Sequence, residues 1–344
     1  MAGKIWRAAI VGATGLLGKE MADELNSAEG AVWDLTLLDK TEPDAAGGFG
    51  GQITSAGDEA MMVLPLTAEA FAGMDVVFFA GDAATTKEFW SPAHKAGAGV
   101  VDLTGALESV PGVVVGSPWI ASGKVVDLAT VAVVAAYPAA VMLALTADRL
   151  QRAFGVQSLA ATVLEPASQQ GSAGVDEMHQ QTVALLTFKP VTKELYDAQV
   201  AFNLQTELGG AAKLDLRGVG DRTLRQVQAM AGDAAKAVTL QIVQAPVFHG
   251  ATASVFVELA QPVETSAVQT ALSDGVMVAA DEDGPSNDRV AGSREIQFSV
   301  RASGDNPGTG FWLWMAADNL RLAARQAAAC AAELVALRPT SGVN

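Results

Sequence analysis

Three glycines at a fixed interval, Gly12-x-x-Gly15-x-x-Gly18, follow an apolar run and precede a helix-forming stretch. Glycines in such a turn let the backbone fold tightly and approach a pyrophosphate, whose charge the N-terminus of the following helix stabilises. The same spacing also serves a purely structural turn. Asp39 closes the next apolar run, about 20 residues beyond the turn, where a carboxylate accepts hydrogen bonds from a ribose 2′-hydroxyl and repels a 2′-phosphate. This favours NAD over NADP. Nucleophiles and metal ligands are scarce: Cys330 is the single cysteine, and His94, His179 and His249 are the three histidines. One cysteine forms neither an intramolecular disulfide nor a Cys-pair zinc site. The histidines lack metal-ligand spacing, so no metal is expected.

The elements that position these residues follow from the pattern. Residues 4–11 read as a strand, 19–27 as a helix and 35–38 as a strand ending at Asp39. A glycine-rich loop at 47–51 leads to a hairpin around Ile53 and 61–64. Strands at 75–80, 99–103, 113–115 and 125–134 flank a helix at 84–96. Apolar runs without alternation suit parallel strands covered on both faces, and strand–turn–helix repetition is the doubly wound pattern. The second half differs. Strands lengthen from Ser158, residues 169–181 start a helix, and 213–231 are helical. Segments 241–247 and 254–259 alternate as antiparallel strands. An acidic loop at 281–289 precedes a strand at 295–301, and 311–337 reads as one alanine-rich helical pattern.

Composition narrows the function classes. The formal net charge of −16 argues against nucleic acid and against anionic membrane surfaces. Half of the residues are hydrophobic and 17% are charged, a globular composition. Residues 128–147 carry no charge, the length of a spanning helix, but Pro138 interrupts them. A buried strand, a proline turn and a buried helix explain that stretch better. The apolar run after Met1 is too short for a signal peptide, and a cytoplasmic protein is expected.

The motif Gly12-Ala-Thr-Gly-Leu-Leu-Gly18 resembles the nucleotide loop of aspartate-semialdehyde dehydrogenases. The likeness continues through Asp75-Val-Val-Phe-Phe-Ala80, Val101-Asp102, Ser168-x-x-Gly171-x-x-Gly174-Val-Asp-Glu177, Ala245-Pro-Val-Phe248 and Ala317-Asp-Asn-Leu-Arg321. Ala201-Phe-Asn-Leu204 and Gln244-Ala-Pro-Val-Phe248 are similar to its Usg-like branch. The resemblance implies an α/β chain: a Rossmann-type nucleotide domain over 1–135 plus 318–344, and an α+β dimerisation, substrate-type domain over 136–317. The C-terminal helix returns to the first domain. The implied cofactor contacts are Gly12, Thr14, Gly15, Leu16, Gly18, Asp39, Ser168 and Asn319. A homodimer through the second domain is implied as well, with the helix after Ser168 and the strands around 255–257 at its interface.

The chemistry that the resemblance implies does not find its residues. That chemistry is a reductive dephosphorylation in which a thiolate attacks an acyl carbon and hydride then passes to the thioester. The family's cysteine follows a proline turn, and here that position falls on Pro138 or Ala140 depending on register. The histidine's place falls on Ala251, leaving His249 as a candidate for site lining only. Glu165 stands at a glutamine's place and Gln244 at an arginine's. The phosphate-binding arginine falls near Leu107 and Glu108, while Arg225 loosely matches the second phosphate contact. Cys330 sits in the C-terminal alanine-rich segment, and His94 and His179 read as helix-surface residues. The chain therefore reads as a non-catalytic relative retaining an NAD(P) site, in a binding or scaffolding role. The alternative is a nicotinamide-dependent oxidoreductase that acts on aspartyl phosphate or on another carbonyl compound.

Overall fold

The computed structural model describes residues 5–27, 32–40, 52–56, 59–120, 126–127, 129–304 and 308–337. It divides into two compact units: Met1–Pro118 with Lys124–Ala136 and Ala323–Asn344, and Trp119–Gly123 with Tyr137–Leu322.

The first unit is built from β1 (Ile5–Val11), α1 (Leu16–Ser27), β2 (Val32–Asp39), β3 (Gln52–Ala56), β4 (Glu59–Pro65), β5 (Val76–Phe79), α2 (Ala83–Lys95), β6 (Gly99–Asp102), β7 (Val113–Gly116) and β8 (Ala132–Ala135). Its sheet runs β3-β4-β2-β1-β5-β6-β8-β7. All pairings are parallel except the edge hairpin β3–β4. The central strands are apolar throughout because both faces are covered: Val76 to Phe79 are all fully buried. From β1 the chain first builds outward through β2 and β4, then returns to the other side of β1 with β5. That reversal puts the topological switch point at the C-terminal end of β1.

The second unit holds α3 (Pro138–Phe154), β9 (Val156–Glu165), α4 (Gly171–Leu186), α5 (Leu216–Ala231), β10 (Val238–Gln244), β11 (Ala251–Leu259), α6 (Thr265–Leu272), β12 (Met277–Ala279), β13 (Ile296–Ala302) and β14 (Gly310–Ala317). The sheet order is β10-β9-β11-β14-β13-β12. α3, α5 and α6 pack beside one another and against its strands. Residues pointing to the covered face are buried, among them Leu159, Ala161, Val163, Val255, Val257 and Leu313. Their neighbours on the opposite face include Phe256, Trp312 and Trp314, and the last two are exposed.

Four expectations change. The helix after the glycine turn starts at Leu16, not at 19, because Gly15 O already accepts from Lys19 N at 3.0 Å. The strand expected at 125–134 is shorter, Ala132–Ala135. Of the two segments expected as antiparallel strands, β11 is antiparallel to β9 and β14, but β10 lies parallel to β9. Residues 311–317 are strand β14, and only Asn319–Ala336 form the last helix, α7. The alternation Phe311-Trp-Leu-Trp-Met315 outweighs the alanines that follow. From Ala323 onward α7 belongs to the first unit, where Ala324, Ala327, Cys330 and Ala331 pack in the core with Ile10, Met21 and Val101. The apolar stretch 128–147 resolves, from Ala132 onward, into β8 and the first turns of α3. No helix of the described residues is long and apolar enough to cross a membrane. The glycine-rich stretch 47–51, Val125 and Leu128 lie outside the described residues.

Candidate functional site

In the first unit the glycine turn occupies the switch point. Gly12 N donates to Leu38 O at 2.9 Å, and its φ is +84°. A Cβ on Gly12 would stand 2.4 Å from Gly81 Cα, and one on Gly18 would stand 2.1 Å from Gly12 O. Close backbone packing therefore demands glycine at both positions. Gly15 differs. Its φ is not positive, and a Cβ there would meet only Gly12 O, at 3.4 Å. Neither conformation nor packing requires a glycine at position 15, whereas close approach of a ligand to the backbone would. Asp39, at the end of β2, accepts from Thr14 N at 3.0 Å and from the Thr14 hydroxyl. The turn and the acidic residue are thus joined directly, beside Leu16 in the first turn of α1.

The other two expected cofactor contacts lie in the second unit and touch each other. Buried Ser168 donates to Asn319 Oδ1 at 3.1 Å. The same oxygen accepts from Gly250 N at 3.1 Å, and Asn319 Nδ2 donates to Gln169 Oε1. Asn319 thereby fixes the turn that leads into Ala251.

Of the positions read as chemically altered, Glu165, Gln244 and Ala251 lie at one end of the second-unit sheet and Pro138 and Ala140 at the start of α3, whereas Leu107 and Glu108 lie in the first unit. Glu165 ends β9 and pairs in register with Gln244, the end of β10. Ala251 opens β11, one step beyond the Leu164–Thr252 pair. Pro138 is the first residue of α3, capped only by the backbone of Tyr137, whose carbonyl accepts from Val141 N at 3.0 Å. Two residues after that proline comes Ala140, fully buried.

What binds this end together is a set of polar side chains. The Tyr137 hydroxyl donates to Glu165 Oε2 at 3.1 Å. Tyr137 N donates to Gln226 Oε1 at 2.7 Å, and the Arg222 guanidinium lies over the Tyr137 ring, 5.4 Å from its centroid. Gln244 Nε2 donates to the carbonyls of Glu165 and Ala245 at 3.0 and 3.2 Å. Glu165, Gln226 and Gln244 are buried; Tyr137 and Arg222 are half-buried. Burial raises the Glu165 carboxyl to about 7, although the Tyr137 hydrogen bond pulls it down. Burial, reinforced by the Glu165 carboxylate, raises Tyr137 well above the usual phenol value. Two oxygens, Glu165 Oε1 and Gln244 Oε1, are buried without a hydrogen-bond partner. The sequence pattern marks Glu165 and Gln244 only as replacements and gives no sign of Tyr137, Arg222 or Gln226, which lie far from both along the chain.

All three histidines are exposed. His94 lies in the last turn of α2 against Trp90, His179 lies on α4, and His249 lies in the turn before β11. Cys330 is 1% exposed, with Sγ 4.0 Å from Gly116 O, and burial pushes its thiol far above the ordinary range. Among the described residues no group of three or more His, Cys, Asp or Glu side chains is placed to hold a metal ion.

The family models match in the same two parts. Residues 7–128 match the semialdehyde dehydrogenase NAD binding domain, and residues 148–322 match the semialdehyde dehydrogenase dimerisation domain. The chain belongs to the aspartate-semialdehyde dehydrogenase family. Its likeness to the Usg-like branch rests on the USG-1 protein homolog of Azotobacter vinelandii, 30% identical over 334 residues, covering 95% of this chain and 96% of that protein. Among solved structures, aspartate semialdehyde dehydrogenase II of Vibrio cholerae in complex with ASA shares the fold. It has a TM-score of 0.84 and 22% identity over 97% of this chain and 99% of that one. A probable aspartate-semialdehyde dehydrogenase of Pseudomonas aeruginosa gives a TM-score of 0.83 and 27% identity over the same shares. The dehydrogenase-family fold therefore extends over both units.

Proposed function

We propose that this chain is a member of the aspartate-semialdehyde dehydrogenase family that does not carry out thioester chemistry. In this reading it binds a nicotinamide dinucleotide, prefers NAD to NADP, and serves as a cytoplasmic binding or scaffolding homodimer. The observation that carries the reading is the start of α3: the family's thiol position falls there on Pro138 or Ala140, neither of which has a nucleophilic atom, and the only cysteine is buried in α7 of the first unit. Hydride transfer through a covalent thioester needs a nucleophilic atom, so its absence removes the path and does not merely slow a step. Ala251 in the histidine's place removes the proton carrier as well. A catalytic acid or base contributes about 10²–10⁴-fold, although losses within one catalytic unit are not additive.

The cofactor preference rests on Asp39 and Gly15. The carboxylate stands against the turn, where a 2′-phosphate would meet its charge, and the glycine at 15 has no structural reason to be one. Gly12, Thr14, Leu16 and Gly18 complete the turn. The dimer reading rests on the match to a dimerisation domain and on the open face of the second-unit sheet, where the Phe256 and Trp312 rings meet at a tilt with centroids 5.1 Å apart. α4 adds exposed Val183 and Leu186.

A second reading is favoured by one observation, the Tyr137–Glu165 pair. A phenol backed by a carboxyl can hand a proton to a carbonyl oxygen without a covalent intermediate, which suits a nicotinamide oxidoreductase of altered carbonyl chemistry. A coupled assay of aspartate semialdehyde with phosphate and NAD or NADP tests the first reading; we expect no turnover above background. Turnover that survives Cys330→Ala would refute it. NAD-dependent reduction of some other carbonyl compound, lost in Tyr137→Phe, would favour the second reading.

A further inference from the structure

We propose that the end of the second-unit sheet formed by Glu165 and Gln244, with Tyr137 beside them, is a binding site for a small primary ammonium group. Glu165 Oε1 and Gln244 Oε1 are buried acceptors without donors. They belong to residues 2% and 0% exposed. The Gln244 amide cannot be turned to relieve this, because its nitrogen already donates to two carbonyls. The two residues pair in register on adjacent parallel strands, whose backbones lie about 4.8 Å apart, so their side chains leave the sheet on the same face. A group that satisfies both oxygens must donate at least two hydrogen bonds. An ammonium carries three donors and no acceptor.

Charge points the same way. A buried, unfilled carboxyl costs stability unless something compensates it, and burial already holds Glu165 at about 7. The charged and titratable groups facing Glu165 are Tyr137, from the start of α3, and Arg222, from α5. α5 also offers Gln226, β10 offers Gln244 and β11 offers Ala251, all neutral. Arg222 lies over the tyrosine ring, 5.4 Å from its centroid. An anion would meet the negative charge of Glu165, whereas a cation would complete the carboxylate. Tyr137 and Arg222 are the half-buried members, which makes the tyrosine side the way in.

The inference rests on reading this end as free of thioester chemistry, and the two fail separately. Ammonium binding is measured without nucleotide or semialdehyde, while turnover in the coupled assay would refute only the earlier reading. The experiment is calorimetric titration of the full chain with methylammonium and ethylammonium chloride, with sodium chloride as the control, in buffers that are not primary amines. If the ammonium binds the ionised carboxylate, affinity rises about tenfold from pH 6 to pH 8, and binding near pH 7 releases about half a proton per site. Glu165→Gln should remove the pH dependence and weaken binding at pH 8 at least tenfold, while Tyr137→Phe keeps the pH dependence. Gln244→Met removes the second acceptor at similar volume and should also weaken binding, so the test does not hang on one variant folding. Three results overturn the proposal: no saturable binding at pH 8, binding without pH dependence, or binding that both Glu165→Gln and Gln244→Met leave intact.

Discussion

The glycine turn at the end of β1 and the polar end of β9 and β10 make opposite demands on the chain. In the turn, Gly12 and Gly18 are fixed by backbone contacts that exist with or without a ligand. The motif would persist for packing alone, and only Gly15 and Asp39 speak for a bound nucleotide. At the end of β9 the reverse holds. Nothing in the packing asks for a carboxyl at Glu165, and burying one is costly. A motif that the fold itself needs is thus weaker evidence for binding than a polar group that the fold would be more stable without.

The largest effect that would sharpen this contrast belongs to Gly18→Ala. Its Cβ has no room, so the first unit should lose about 3 kcal/mol or more. Thermal unfolding measures it, and a variant as stable as the parent would break the packing argument. Gly15→Ala should leave stability within about 1 kcal/mol while NAD affinity falls at least tenfold.

Next comes Glu165. Its folded value of about 7 lies above the ordinary carboxyl value of 4.5 that it has in the unfolded chain. The protonated form is therefore favoured in the folded chain, and this contribution is fully present below pH 4.5. It is lost as pH rises through 7, by about 3 kcal/mol across the window. Urea denaturation at pH 5 and pH 7.5 should show that loss, and Glu165→Gln should flatten it. An equal slope in both proteins would mean that the carboxyl is not the source.

Of similar or smaller size is the effect of Trp312→Glu on the open sheet face. The variant should weaken self-association about 100-fold, near 2.7 kcal/mol, measured by sedimentation velocity. Unchanged association would move the dimer interface elsewhere. The smallest expected change is in cofactor choice. Asp39→Ser should narrow the NAD preference over NADP by about tenfold. A preference for NADP in the unmodified chain would show that the Thr14-bound carboxylate leaves the 2′ position free.

The two regions were not equally legible in the sequence. The turn and Asp39 are local features: strand, three glycines and helix lie within a single stretch, and their spacing states the geometry. The polar end gathers Tyr137, Glu165, Gln226 and Gln244 from the start of α3, the end of β9, the middle of α5 and the end of β10. No spacing rule connects them. The available signal was that two apolar strands, Thr-Val-Leu-Glu165 and Ile-Val-Gln244, both end on a polar residue that stays buried. Pairing partners were equally hidden, since alternation identified β10 and β11 as strands but could not say that β9 lies between them. In β14, period-two aromatics were lost beside the alanines of α7, where strand and helix signals adjoin without a breaker.

Cys330 has a use that its chemistry does not suggest. It is the single thiol, fully enclosed where α7 docks on the first unit, with its ionisation suppressed by burial. A thiol-specific reagent can reach it only when that helix lifts away or the unit unfolds. The rate at which the native chain takes up one equivalent of such a label is therefore a built-in clock for the opening of the first unit. No probe needs to be engineered, and the second unit contributes no background to the signal.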